Sequence, residues 1–159
     1  MSKSLVTETP DVLFKKAEND ILSVDILIST PKYPIDRMYD VICFHATQAV
    51  EKLLKGYIIL NKKTVEKIHN LDVLHKIAME IDNSFLGIMD YCLQLNEYVP
   101  NVKYSNENLI TKQNMNDIIK SMQAICNFPQ IKTIRESFSN KYNYQIVTEI
   151  VLEPQNTNI

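Results

Sequence analysis

An all-α, antiparallel up-and-down helical bundle of four to five main helices, with a short C-terminal extension, is the fold class this sequence predicts. Three observations predict it. Only two glycines occur in 159 residues, too few for the turn punctuation of a many-stranded fold. Apolar residues recur at spacings of three and four along most of the chain, the period of one helix face. The apolar fraction of 45% and the charged fraction of 23% are ordinary for a globular chain, and this length buries one core. The organisation expected is one bundle over 9–138 and an extension over 139–159, its last residues disordered.

The first helix is expected to begin near Thr9, with Pro10 in the first helical position, where its missing N–H costs nothing. Phe14, Ala17, Ile21, Val24 and Ile28 then form one buried stripe, and the prolines of the TPKYP segment end the helix. A second helix is predicted over about 36–60, with Ile42, Ala46, Ala49, Leu53, Tyr57 and Leu60 facing the core. Phe44, Leu54 and Ile58 fall outside that stripe at about 100° per residue, so this helix is either central in the bundle or shares a second face with a partner chain.

A polar connection, NKKTVEKIHN, leads to a short third helix through Leu71, Leu74, Ile77, Ala78 and Ile81. Phe85, Ile88, Met89, Cys92 and Leu95 resume the helical period as a fourth segment or a kinked continuation of the third. EYVPNVKYSNEN reads as an exposed loop. Thr111 caps the last long helix, which carries Met115, Ile118, Ile119, Met122, Ile125 and Cys126 inward. Pro129 is expected to kink or break it before Ile131, Ile134 and Phe138. Tyr142, Tyr144 and Ile146 alternate as on a strand, whereas Ile146, Ile150 and the neighbouring valines also suit a helix turn; an extended tail packed on the bundle is expected.

Net charge is −2 with Lys and Arg dispersed, which excludes a global electrostatic drive toward nucleic acid and leaves room for a local basic face. Cys43, Cys92 and Cys126 lie inside apolar helical patterns without metal-ligand spacing and read as reduced, buried thiols, pointing to the cytoplasm. The first residues lack a signal-peptide core, and no apolar run approaches the ~20 residues of a membrane span. No membrane association is expected.

On the second helix, His45, Gln48, Lys52 and Lys55 follow spacings of three, four and three and line one flank, with Glu51 beside them. An imidazole, an amide and two ammoniums on one face suit a phosphate or nucleotide ligand. The alternative is a solvated flank on which Glu51 and Lys55 form a surface ion pair. His69, ahead of the third helix, suits a capping, packing or ligand role, and His75 reads as a structural or surface residue on an exposed edge. The histidines lack carboxylates at helical spacing, so no metal and no cofactor is expected. Lys103 and Tyr104 pair a cation with an aromatic ring in the exposed loop, suited to a base or phosphate; the alternative is a tyrosine that folds its ring over a helix end. No Gly-rich phosphate loop, nucleophile elbow or triad signature occurs.

The phrase CFHATQAVEKLLKGYIIL, followed by KIHNL and NVKYS, resembles the HEPN family, the higher-eukaryote and prokaryote nucleotide-binding domains. The resemblance covers most of 9–138. It implies an up-and-down bundle, commonly a homodimer, found in bacteria and archaea beside small nucleotidyltransferases in toxin–antitoxin-like pairs. Some members are metal-independent ribonucleases that place an arginine four to six residues before a histidine and build a composite site across the dimer. Here Arg37 and His45 are separated by seven residues, and Arg135 has no histidine after it. Where members often carry Arg-Tyr-Pro, this chain has Lys103, Tyr104 and Ser105; lysine keeps the charge and loses bidentate geometry. The function expected is a nucleotide-binding module, paired with a nucleotidyltransferase and without catalysis of its own, using His45, Gln48, Lys52, Lys55, His69, Lys103 and Tyr104. The alternatives are an endoribonuclease toxin that cleaves RNA with Arg37 and His45, and a structural interaction domain.

Overall fold

The computed structural model describes residues 4–30, 34–99 and 110–152. Among them are six α-helices: α1 Pro10–Ser29, α2 Tyr39–Leu60, α3 Leu71–Ile81, α4 Met89–Asn96, α5 Lys112–Cys126 and α6 Pro129–Tyr142. Two 3-10 helices, Ile35–Met38 and Asn83–Ile88, lead into α2 and α4. α3 and α4 are thus separate helices, because Asp82 leaves helical geometry and its side chain accepts from the Ser84 N–H to start the 3-10 segment. No helix among the described residues is long and apolar enough to cross a membrane.

The α1 stripe packs on α2 through Phe14, Ala17, Ile21 and Val24, all buried. Thr9 holds the N-cap position with Pro10 following, although its side chain accepts no backbone N–H. The two helices approach closely at Gly56, where a Cβ would stand 2.7 Å from the Phe14 ring. α2 also packs against α5 and α3, so Leu54 and Ile58 are fully buried within the chain. It is therefore the central helix; of the residues off its core stripe, Phe44 stays exposed at 43%.

Thr111 caps α5 in a reciprocal box with Asn114, two otherwise orphaned N–H groups satisfied together. Pro129 breaks the helix and opens α6 at its first position. α6 continues to Tyr142 and stops at Asn143, whose left-handed φ of 55° is one that asparagine tolerates better than most residues. Residues 144–152 have no regular structure but are packed on the bundle, with Ile150 buried. The Gln123 amide holds this strap as a neighbouring strand would: it accepts from Ile150 N at 2.9 Å and donates to Ile150 O at 3.3 Å.

Arg135, 2% exposed, joins α6 to α1 and to the strap. Its Nε and Nη2 donate to the two Glu18 carboxylate oxygens at 2.7 and 2.6 Å, Nη1 to Cys126 O, and Nη2 also to Val147 O. Burial alone would lower the Arg135 pKa; the hydrogen bonds and charge of Glu18 outweigh it and raise the value above that of a free guanidinium.

His75 is buried, not on an exposed edge. Its Nε2 donates to the Phe85 carbonyl at 2.6 Å, because the 3-10 segment folds back over α3 and needs a donor there.

Candidate functional site

α2 is covered by α1 on one side and by α3 and the connection before it on the other. At ~100° per residue, His45, Lys52, Gln48, Lys55 and Glu51 follow one another across an arc of about 120° between those two neighbours. This strip is about 15 Å long from His45 to Lys55 at the helical rise. Two carboxylates organise it.

Asp20, on α1, enters from one side. It sits three residues after Ala17 and four before Val24, at the margin of the α1 stripe, so its side chain reaches α2. Oδ1 lies 2.9 Å from His45 Nδ1, and Oδ2 accepts from Lys52 Nζ at 2.5 Å. Glu51, buried on α2 itself, does the same on the other side: Oε1 lies 2.6 Å from His69 Nδ1 and Oε2 accepts from Lys55 Nζ at 3.1 Å. Each carboxylate thus bridges one imidazole and one ammonium. A carboxylate only accepts, so each Nδ1 donates, and a neutral ring then presents Nε2 as an acceptor.

The connection that carries His69 is fixed on both sides of that residue. Its Val65–Lys67 stretch pairs with the N-terminal segment, Val6 N donating to Val65 O at 2.9 Å and Lys67 N to Ser4 O at 3.0 Å. Asn70 then caps α3, accepting from the N–H groups of Asp72 and Val73. His69 is left directly before the cap, half-exposed over Glu51.

The structure therefore brings His45, Gln48, Lys52, Lys55 and His69 to one strip. Lys103 and Tyr104 lie outside the described residues. Arg37 is exposed in the 3-10 turn ahead of α2 and forms no ion pair among the described residues. The Glu51–Lys55 pair exists, but buried and shared with His69, not as a solvated flank. Asp20 is the residue that sequence reasoning missed; its spacing from Ala17 and Val24 was the available signal. Gln48, half-buried between the two clusters, makes no hydrogen bond among the described residues.

Electrostatically the strip is compensated. A phosphate near Lys52 also meets the Asp20 carboxylate; at ~5 Å and an effective dielectric of ~20 each interaction is about 3 kcal/mol, and the two have opposite sign. What the strip retains is directional: spare ammonium N–H groups, two imidazole edges and the Gln48 amide. Phe44 stands edge-on to the His45 ring, centroids 5.5 Å apart.

These features define a helical module with a polar strip on its central helix. The profile of the HEPN domain family matches residues 11–133, most of the chain, and the protein belongs to that family. Neither a curated protein nor a solved structure matches it. Membership assigns the chain to nucleotide- or RNA-related helical modules. The match ends before Arg135, so the strap and its arginine lie outside it.

Proposed function

We propose that the protein is a nucleotide-binding module without catalysis of its own, which works beside a small nucleotidyltransferase and pairs with a second copy of itself. The observation that carries this reading is the α2 strip, on which two carboxylates hold His45, Lys52, Lys55 and His69 around the Gln48 amide. Pre-set donors and acceptors of this kind lower the ordering cost of taking up a polar ligand. Membership in the family supports a nucleotide-related ligand; the nucleotidyltransferase partner is part of the proposal. Calorimetric titration with ATP and GTP is expected to give heats that fall sharply in Gln48→Ala and His45→Ala. Heats that are absent, or the same in those variants, overturn the reading.

One observation favours RNA cleavage as a second reading. Asp20 fixes the Nδ1 of His45 and leaves Nε2 to act, the arrangement in which a carboxylate orients a general base. On that reading purified protein cuts RNA and His45→Ala does not; cleavage that survives the substitution excludes His45 as the base.

A further inference from the structure

The charge on the strip is already balanced before any ligand arrives, and that bears on which end of a nucleotide it takes. Lys52 is committed to Asp20 and Lys55 to Glu51, so the two ammoniums that would serve a phosphate each face a competing anion at hydrogen-bond distance. Beyond the remaining N–H groups of those two ammoniums, whose charge the carboxylates already offset, the groups without a partner among the described residues are uncharged: the Nε2 edges of His45 and His69 and both ends of the Gln48 amide. Imidazole edges that accept need donors from the ligand, and an amide pairs in two directions at once. Ribose hydroxyls and base amino groups supply donors; a phosphate at neutral pH supplies none.

We propose that this strip recognises the nucleoside moiety, base and ribose, and leaves the phosphates outside its contacts. The inference rests on the nucleotide-binding reading and adds to it the part of the ligand that is read. Asp20 and Glu51 are then specificity determinants: by cancelling the two lysines they make the strip indifferent to phosphate number, and they admit nucleosides as readily as triphosphates. Gln48, midway between the clusters, reads the base; a side-chain amide pairs with adenine through two bonds, donating to N7 and accepting from N6.

The test is a calorimetric series of adenosine, AMP, ADP and ATP, repeated with the guanine series, at about pH 8, where imidazole is ordinarily neutral. The dissociation constants are expected to agree within about threefold from nucleoside to triphosphate, with little dependence on salt between 50 and 300 mM, unlike an ionic contact. Asp20→Asn keeps the shape and the acceptor for His45 but frees the Lys52 charge. It is expected to shift the ATP-to-adenosine affinity ratio roughly tenfold toward ATP, as one uncompensated charge near the surface does. Glu51→Gln provides the same measurement on the second cluster if Asp20→Asn does not fold. Wild-type affinity that climbs steeply from adenosine to ATP and weakens with salt overturns this inference and leaves nucleotide binding standing. Failure of every ligand in both series removes the nucleotide-binding reading itself, and this inference with it.

Discussion

Glu18 and Asp20 lie two residues apart on α1, and each carboxylate holds a cation carried by another helix. Glu18 meets Arg135, and the pair is closed off: four of the five guanidinium N–H groups have partners, two on Glu18 and two on the carbonyls of Cys126 and Val147. Asp20 meets Lys52 and His45, whose side chains are 23% and 28% exposed and keep unused hydrogen-bonding groups. The same chemistry thus serves two purposes on one helix. Where nearly every donor is spent and water is excluded, an ion pair fixes the arrangement of elements; where some are left over and face water, it leaves groups for the ligand proposed above.

Base should break the closed region hardest. Cys126, packed under Arg135, has its thiol pushed up to about 12 by burial, with Glu18 adding to the rise and Arg135 opposing it. Burial raises Cys43 and Cys92 to about 12 as well. The unfolded chain releases these protons from about pH 9, whereas the native one holds them to about pH 12. Stability is therefore intact below pH 9 and falls as pH rises through that window, by about 1.4 kcal/mol per thiol for each pH unit. Denaturant midpoints between pH 8 and 11 check this, together with resistance of the folded protein to thiol reagents at pH 8. A flat profile contradicts it.

Next in size is Arg135→Ala. It strands the Glu18 carboxylate in the interior and is expected to cost about 3–5 kcal/mol, the usual effect of breaking a buried pair. The strap should loosen with it, since the bond to Val147 O goes too, and hydrogen exchange over 144–152 should quicken. Replacing both partners, Glu18→Leu with Arg135→Met, is expected to recover most of the midpoint lost in Arg135→Ala. A single mutant as stable as wild type would place the knot on the surface and undo the contrast with Asp20.

How much of this the sequence showed depends on whether a signal was local. The helices were legible because their apolar spacing is local, and so were the Thr111 cap and the Pro129 break. His45, Gln48, Lys52 and Lys55 shared a flank by arithmetic alone. The carboxylates that govern them were not legible as a set, because Asp20 and Glu51 act on residues 25, 32 and 18 positions away. Spacing gives the face of a helix, not what the fold lays against it. Arg135 illustrates the same limit: it stands four after Ile131 and three before Phe138, on the inward side of α6, but its partner is 117 residues away. His75 was read as lying on an exposed edge because nothing in the sequence announces that residues 83–88 fold back over it.

Between the two carboxylate regions runs the α1–α2 seam, and Gly56→Ala tests how much slack it has. The added methyl would meet ring carbons of Phe14 at 2.7 Å. Phe14 is fully buried and packs at a tilt against Phe138 of α6 at a centroid distance of 5.5 Å, so it has little room to turn. Overpacking of this kind costs about 1–3 kcal/mol, and the helix propensity gained from alanine recovers up to about 1. A net loss of stability is expected, and because the seam also sets the distance from Asp20 to α2, nucleotide binding should weaken in parallel. Stability lost with binding intact would show that the Asp20 cluster adjusts independently of the seam.

The smallest effect on stability is expected at Asp20 itself, and it is the one that separates the two regions most cleanly. Asp20→Asn removes a charge from a pair about as short as the Glu18–Arg135 contacts, so distance alone would forecast a comparable penalty. Asp20 is itself buried, but the partial exposure of its partners His45 and Lys52 forecasts the opposite. The freed Lys52 ammonium can turn to water, the asparagine oxygen still accepts from His45, and the pair's Coulomb energy is screened as in other partly exposed pairs. A change under about 1 kcal/mol is expected by denaturant titration. If the loss instead matches that of Arg135→Ala, Asp20 is a structural residue like Glu18, and the strip it borders loses its claim to be a site held ready for a ligand.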